Sequence, residues 1–354
     1  MNAKFDYLAF IGRFQPFHNG HYEVLQRALS LAGKVVVVLG SARRPRTIKD
    51  PWNIAERQVM VSACFDKAVR DGRLLFASVV DRLYNDQQWA AEVQAAVEGA
   101  IAADRGQDGP PPRVGIIGHE KDHSSFYLRL FPQWERVHAA NAAGLSATEI
   151  RGYYLKPDDS EGNRLLLRSA LPEPVAAFLE AFREAPYYAN LAAEHAFIAD
   201  YKAQFAGLKY PPIFQTVDAV VVQAGHLLLV QRKALPGAGL WALPGGFLQA
   251  DERCVDGCLR ELKEETRLKV PLPVLKGGIR GDKRFDHPER SLRGRTITEA
   301  FLIELEPTPE GLYPVRGGDD AAKARWVPIA QVLEMDEQMF EDHLDIIRYF
   351  LGQL

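Results

Sequence analysis

Glu261, Glu264 and Glu265 sit at i, i+3 and i+4 of a segment whose pattern predicts a helix. At about 100° per residue the three acids share one face, while Val255, Leu259 and Leu262 fall on another. Carboxylate oxygens gathered in this way suit a hard divalent cation, Mg²⁺ or Mn²⁺. Beside a phosphate, such a cation can neutralise charge and activate a water. Gly245 and Gly246, in the run Leu243-Pro244-Gly245-Gly246 ahead of the helix, let the backbone turn tightly beneath the acids. The plain alternative is a solvated acidic face, and the acids taken alone do not exclude it.

A second group lies in Gly12-Arg13-Phe14-Gln15-Pro16-Phe17-His18-Asn19-Gly20-His21. An apolar strand is predicted to end there and a helix to begin near Asn19. Helix N-termini present unpaired N–H groups and a positive dipole end, which favour phosphate. His18 and His21, three apart, can point the same way and donate hydrogen bonds to a triphosphate. Further along, Ser146 and Thr148 stand where they can cap a helix that carries Arg151. Single histidines are more often structural, but two such motifs in this order rarely coincide.

Such groups need scaffolds, and the first half of the chain supplies one pattern. Apolar runs from Phe5, Lys34, Arg73 and Arg113 read as buried strands, with helical segments between them. That alternation predicts a Rossmann-like α/β domain built on a parallel sheet. After Arg151 the pattern turns helical until Pro211-Pro212. Two β-rich runs joined by Ala224-Gly225 follow, then the acidic helix, further strands and a closing helix near Phe340–Leu351. This order suits an α+β sandwich. The expected division is residues 1–186, a helical and proline-containing linker over 187–212, and residues 213–354.

A chain of 354 residues can bury two cores. With 25% charged residues, a formal net charge of −3 and no basic block, nothing points to a nucleic-acid partner. No apolar run approaches a membrane span, and the N-terminus lacks the plan of a signal peptide. Cys64, Cys254 and Cys258 cannot form a disulfide framework, and the last two read as small packing residues. A cytoplasmic protein with small-molecule partners is expected, with a homo-oligomer allowed.

The spacing from Gly246 through Glu252 to Arg260-Glu261-Leu262-Lys263-Glu264-Glu265 resembles the Nudix box of hydrolases that cut nucleoside diphosphates linked to another group. The resemblance implies an α+β Nudix sandwich and makes Glu261, Glu264 and Glu265 the metal ligands. It has Arg260 orient a glutamate and Glu252 shape the preceding loop, and it leaves open which glutamate acts as base. Arg267 stands where the pattern expects glycine at the helix stop. The run from Arg284 to Phe301 is similar to ADP-ribose-type members. It implies contacts to phosphates, ribose or adenine from Arg232, Trp241, Gly245, Gly246, Arg260, Arg290 and Arg293, with Arg295 nearby.

The N-terminal motif ending His18-Asn19-Gly20-His21 and the run Ser146-Ala147-Thr148-Glu149-Ile150-Arg151 resemble the nucleotidyltransferase superfamily, which implies Ser146 and Thr148 on phosphate oxygens and Arg151 on the phosphates that leave as pyrophosphate. Segments from Ser41, Tyr84 and Gly118 resemble the archaeal-type nicotinamide mononucleotide (NMN) adenylyltransferases. That resemblance implies Trp89 stacking on a cationic nicotinamide ring, with Lys121 and Asp122 beside the substrate. Gly12, Arg13, Phe14, Ser146 and Thr148 would line the ATP site, and Arg43 and Arg57 are further phosphate candidates. The order of the two domains resembles the bifunctional NMN adenylyltransferase/ADP-ribose pyrophosphatases. The implied substrates are ATP with Mg²⁺, NMN and ADP-ribose. Two rivals stay open: a Nudix-like module that only senses ADP-ribose or NAD, and an adenylyltransferase for another phosphate acceptor.

Overall fold

The computed structural model describes residues 3–106, 110–119, 128–139, 146–156 and 160–352, and the expected site residues Lys121 and Asp122 lie outside them. The chain divides into two compact units, Met1–His195 and Ala196–Leu354. Among the described residues no helix is long and apolar enough to cross a membrane.

In the first unit β1 (Phe5–Gly12), α1 (Asn19–Leu31) and β2 (Ala32–Leu39) are followed by α2 (Ile54–Cys64), α3 (Asp66–Arg70) and β3 (Leu74–Ser78). Next come α4 (Asp86–Arg105), β4 (Val114–His119) and β5 (Glu135–Ala139). Helices α5 (Ala147–Tyr154), α6 (Glu161–Ala170), α7 (Glu173–Phe182) and α8 (Tyr188–Ala203) complete the helical stretch, the residues of α8 from Ala196 onward belonging to the second unit. The strands form one parallel sheet in the order β3-β2-β1-β4-β5. Alternation of side chains sorts the sheet's residues between two cores. Phe10, Val35, Val37 and Leu39 meet Leu25 and Ala28 of α1 and Met60 of α2. Ala9, Ile11, Val36 and Val38 meet Val93 and Val97 of α4. Each such Val or Leu stabilises the fold by about 1.5–3 kcal/mol on burial.

The sheet order reverses between β1 and β4, so the carboxyl end of β1 opens onto a crevice where ligands bind in such folds. Strand β5 carries no apolar run. It is an exposed edge holding Glu135 and Arg136, which is why periodicity does not find it. Helix α6 also escapes a sequence reading, because Leu165 and Leu166 stay exposed and only Leu167 is buried.

The second unit holds β6 (Phe214–Gln223), β7 (His226–Arg232), β8 (Trp241–Ala242), β9 (Gly245–Phe247) and α9 (Cys254–Thr266). Then follow α10 (Leu272–Gly277), β10 (Ile279–Phe285), β11 (Thr296–Leu305), β12 (Ala321–Pro328), α11 (Ile329–Val332) and α12 (His343–Phe350). The main path is β10-β11-β6-β7-β12, with β8 on β7 and β9 on β6. Strands β6 and β11 run parallel, and the other pairs are antiparallel. Ala224 and Gly225 both take positive φ, which makes the β6–β7 hairpin that the sequence predicts. Cys258, Leu259 and Leu262 of α9 pack on Val217, Ala219 and Val221 of β6, so the helix is pinned by its apolar face.

Arg290 and Asp342 form a buried bidentate pair, both bonds 2.9 Å, with side chains 3% and 0% exposed. Arg290→Ala strands the carboxylate of Asp342 without a countercharge and is expected to cost about 3–5 kcal/mol. Hydrogen exchange resolved along the chain should show the loss in residues 196–354 alone. A cost below about 1 kcal/mol, typical of an exposed pair, contradicts it.

Candidate active sites

The histidine motif of the first unit follows directly from the end of β1. Gly12 ends the strand and its carbonyl accepts from the N–H of Gly40, which ties the carboxyl ends of β1 and β2 together. Arg57 of α2 is 1% exposed and donates to the carbonyls of Arg13 (2.7 Å), Gly40 (2.6 Å) and Ser41 (3.3 Å). It therefore holds the loop and is not placed for phosphate. Gln15 and Trp52 exchange two hydrogen bonds, and Phe14, buried at φ 52°, packs edge-on to Phe10 and His21. Arg13 and Arg43 are exposed.

His18 is the N-cap of α1. Its Nδ1 accepts from the N–H of Gly20 at 3.2 Å, and Nδ1 of His21 accepts from the N–H of His18 at 3.3 Å. The two rings stack with centroids 3.7 Å apart, so the predicted pairing of the histidines at the helix start is met. With both Nδ1 atoms used as acceptors, each neutral ring carries its proton on Nε2.

Ser146 is the N-cap of α5 and forms a capping box with Glu149. Thr148 Oγ1 accepts from Arg151. The Arg151 guanidinium, 7% exposed, also donates to the carbonyls of Gln15 (2.6 Å) and Ile48 (3.1 Å). The two motifs are thus joined directly, through the arginine that the sequence assigns to the leaving phosphates. Trp89 packs beside Phe131 at the edge of the core, centroids 6.1 Å apart. Sequence reasoning did not single out Asp81, whose carboxylate takes both the N–H and the hydroxyl of Ser41. No motif marks it; the contact is made by the sheet.

In the second unit Arg260 organises the acids. Its guanidinium pairs with Glu252 (2.6 Å), Glu261 (2.9 Å) and Glu264 (3.0 Å), and it reaches the Phe247 carbonyl at 3.3 Å. Glu252 also accepts from the N–H of Gln249, which fixes the loop ahead of α9. Hydrogen bonding to Arg260 holds the Glu252 carboxyl below its usual range. Burial pushes the Glu261 carboxyl up, against the pull of Arg260. Glu265 is 9% exposed and accepts from the N–H of Gly245 at 3.0 Å. Burial, reinforced by Glu261 and Asp218, pushes its carboxyl up to about 8.

Gly246 is required by space: a Cβ there would lie 2.6 Å from Glu261 Oε1. The helix stop closes without the expected glycine. Arg267 takes the left-handed conformation (φ 53°, ψ 24°) normally left to glycine, and its N–H bonds to the Lys263 carbonyl. Its side chain lies over Gly318, where a Cβ would come within 2.4 Å of Nε.

These donors fit a divalent cation in kind. Hard carboxylate oxygens are concentrated against the glycine turn, the donor type such a cation takes. Among the described residues they are not drawn into a three-ligand cluster, since Arg260 engages two of them.

The expected substrate contacts separate. Arg290 is committed to Asp342 inside the core. Arg232 lies 4.0 Å over the Phe340 ring, and its Nε donates to the Pro236 carbonyl. Trp241 is buried beneath Arg325. Arg293 lies 4.9 Å over Phe247, next in sequence to Gly246, and its buried Nε has no hydrogen-bond partner. Arg293 thus carries an N–H that no protein group takes, while Arg232 lies within electrostatic reach of Glu265.

Two family models match, a cytidylyltransferase-like domain over residues 9–153 and a NUDIX domain over residues 213–350. The nicotinamide/nicotinic acid mononucleotide adenylyltransferase of Acinetobacter baylyi is 41% identical over 189 residues, covering 53% of this chain and 92% of its own. The ADP-ribose pyrophosphatase of Methanocaldococcus jannaschii is 29% identical over 135 residues, covering 38% of this chain and 71% of its own. Crystal structures of a bifunctional NMN adenylyltransferase/ADP-ribose pyrophosphatase from Francisella tularensis cover 99% of both chains. One is 33% identical with a TM-score of 0.89; the other, complexed with AMP and Mn ion, is 32% identical at 0.88. The stacked histidines at the start of α1 and the glutamates of α9 fall one in each matched region, and the chain belongs to the family of bifunctional NMN adenylyltransferases/ADP-ribose pyrophosphatases.

Proposed function

We propose that the first unit transfers AMP from ATP to NMN, giving NAD and pyrophosphate, and that the second hydrolyses ADP-ribose to AMP and ribose 5-phosphate. The observation that carries this reading is that each motif is assembled by its own fold: stacked histidines at a switch-point helix start, and glutamates against a glycine turn. In the first site the phosphate of NMN attacks the α-phosphorus of ATP in line, and pyrophosphate leaves. His18 and His21 donate through Nε2 to the triphosphate, and the N-terminus of α1 adds its dipole. Gly12, Arg13, Phe14, Ser146 and Thr148 line the nucleotide. Trp89, Lys121 and Asp122 receive NMN. Arg151 must exchange a carbonyl partner for phosphate if it grips the leaving group, a swap that favours a charged acceptor over a neutral one.

At the second site Glu261, Glu264 and Glu265 hold a divalent cation, Mg²⁺ or Mn²⁺, with Arg260 keeping two of them apart and oriented. When bound, the cation neutralises phosphate charge and lowers the pKa of water. Arg232, Trp241, Gly245, Gly246, Arg290 and Arg293 shape the ADP-ribose side; Arg293 makes the direct anion contact and Arg290 acts through the core. The chain works on small nucleotides in the cytoplasm.

Removing one metal-facing carboxylate forfeits several kcal/mol of charge stabilisation. Glu264→Gln is therefore expected to lower ADP-ribose hydrolysis by at least about a hundredfold while NAD synthesis continues. Retained hydrolysis in that variant contradicts the metal assignment. His18→Ala should do the reverse, cutting adenylyl transfer by on the order of 10²–10³ and sparing hydrolysis. Assay of pyrophosphate release with ATP and a panel of phosphate acceptors tests the substrate directly, and no turnover with NMN would refute the reading.

A further inference from the structure

Residues Met339–His343 belong to neither motif, yet they fasten the backbone on both sides of the glutamates. Met339 bridges to Trp241, and the N–H of Phe340 donates to the Trp241 carbonyl at 2.8 Å. Asp342 holds Arg290 from within the core, and Glu341 Oε1 accepts from the N–H of Leu292. His343, 6% exposed, accepts the N–H of Leu243 on Nδ1 at 2.9 Å.

That last contact fixes a tautomer. A backbone N–H can only donate, so Nδ1 carries the lone pair and the ring proton sits on Nε2. Nε2 faces Asp218 Oδ1 at 4.0 Å, and Asp218 in turn accepts from Thr298. Burial lowers the His343 pKa and favours the neutral ring; Arg290 and Arg232 add to this, while Asp218 and Asp342 oppose it.

Leu243 opens the turn on which the acids rest. The next carbonyl, of Pro244, accepts from Ala219 of β6 at 2.8 Å. The next N–H, of Gly245, donates to Glu265, and Gly246 leaves the space that Glu261 fills. A displacement at Leu243 thus reaches two carboxylates within three residues.

We propose that His343 is a positioning residue for the pyrophosphatase site, accepting the Leu243 N–H to fix the turn that aims Glu265 and seats Glu261. The proposal rests on the reading of those glutamates as ligands of a divalent cation. Partners that orient metal ligands typically contribute ten- to a hundredfold in metal affinity or activity.

The test uses the full chain and Mn²⁺ alone, its free concentration followed by electron paramagnetic resonance, alongside both enzyme assays. His343→Leu, which has no acceptor, should weaken Mn²⁺ binding and lower kcat for ADP-ribose by about ten- to a hundredfold, with KM and NAD synthesis unchanged. His343→Asn, whose Oδ1 can accept, should keep both quantities within about threefold of wild type. Wild-type Mn²⁺ affinity in folded His343→Leu overturns the proposal, as does equal impairment of the two variants. Should His343→Leu not fold, His343→Asn decides: near-native affinity supports the role, and a tenfold loss in a folded protein overturns it. Failure of the wild-type chain to bind Mn²⁺ removes the metal reading, and the proposal with it.

Discussion

Four acidic residues, Glu252, Glu261, Glu264 and Glu265, converge at the start and face of α9, where like charges at helical spacing repel one another. Arg260 meets this with three simultaneous ion pairs, and its guanidinium is held in the charged form by the same hydrogen bonds. The planar fork of an arginine suits this task; a lysine would offer one point charge to three partners. Glu265, beyond its reach, relies on a single backbone N–H and stays the least neutralised of the set. The acids can be crowded because one cation of the protein's own keeps the crowding stable.

Both sites also share a way of building. The candidate groups of each site project from backbone that is immobilised from behind by buried polar side chains. In the first unit Arg57 and Arg151 tie down the loop after β1 through its carbonyls. In the second, His343 and Asp342 fasten the turn and the Arg290 loop. A buried polar group that is fully paired costs little and sets geometry strictly, whereas an apolar residue there would leave the backbone free to slide. These supports are costly to break, which makes them poor places for variation.

Much of this was legible in the residues. The strand starting at Phe5, the hairpin at Ala224-Gly225 and the helix bearing the glutamates follow from period and turn chemistry that local sequence sets. The stacked histidines follow from an i, i+3 spacing at a helix start. What could not be read depends on distant partners. Arg290 and Arg293 stand three apart in one loop and look alike in sequence, yet one is sealed against Asp342 and the other lies over Phe247. The difference is made by a segment some fifty positions away, at Glu341 to His343. Strand β5 hides for the opposite reason: an edge has no second core face to enforce an apolar pattern.

The helix stop at Arg267 carries a lesson about how signatures encode shape. The chain keeps the left-handed turn and replaces the residue that normally makes it easy, at a local cost of about 1–2 kcal/mol. The arginine side chain at the stop needs room, and Gly318 provides it: a Cβ there would meet both Arg267 Nε and the Glu264 carbonyl. Gly318 is therefore held to glycine twice over, by the side chain at the helix stop and by the backbone of α9. Position 267 alone records a lost glycine, while the fold keeps the same turn by leaving the neighbouring backbone bare.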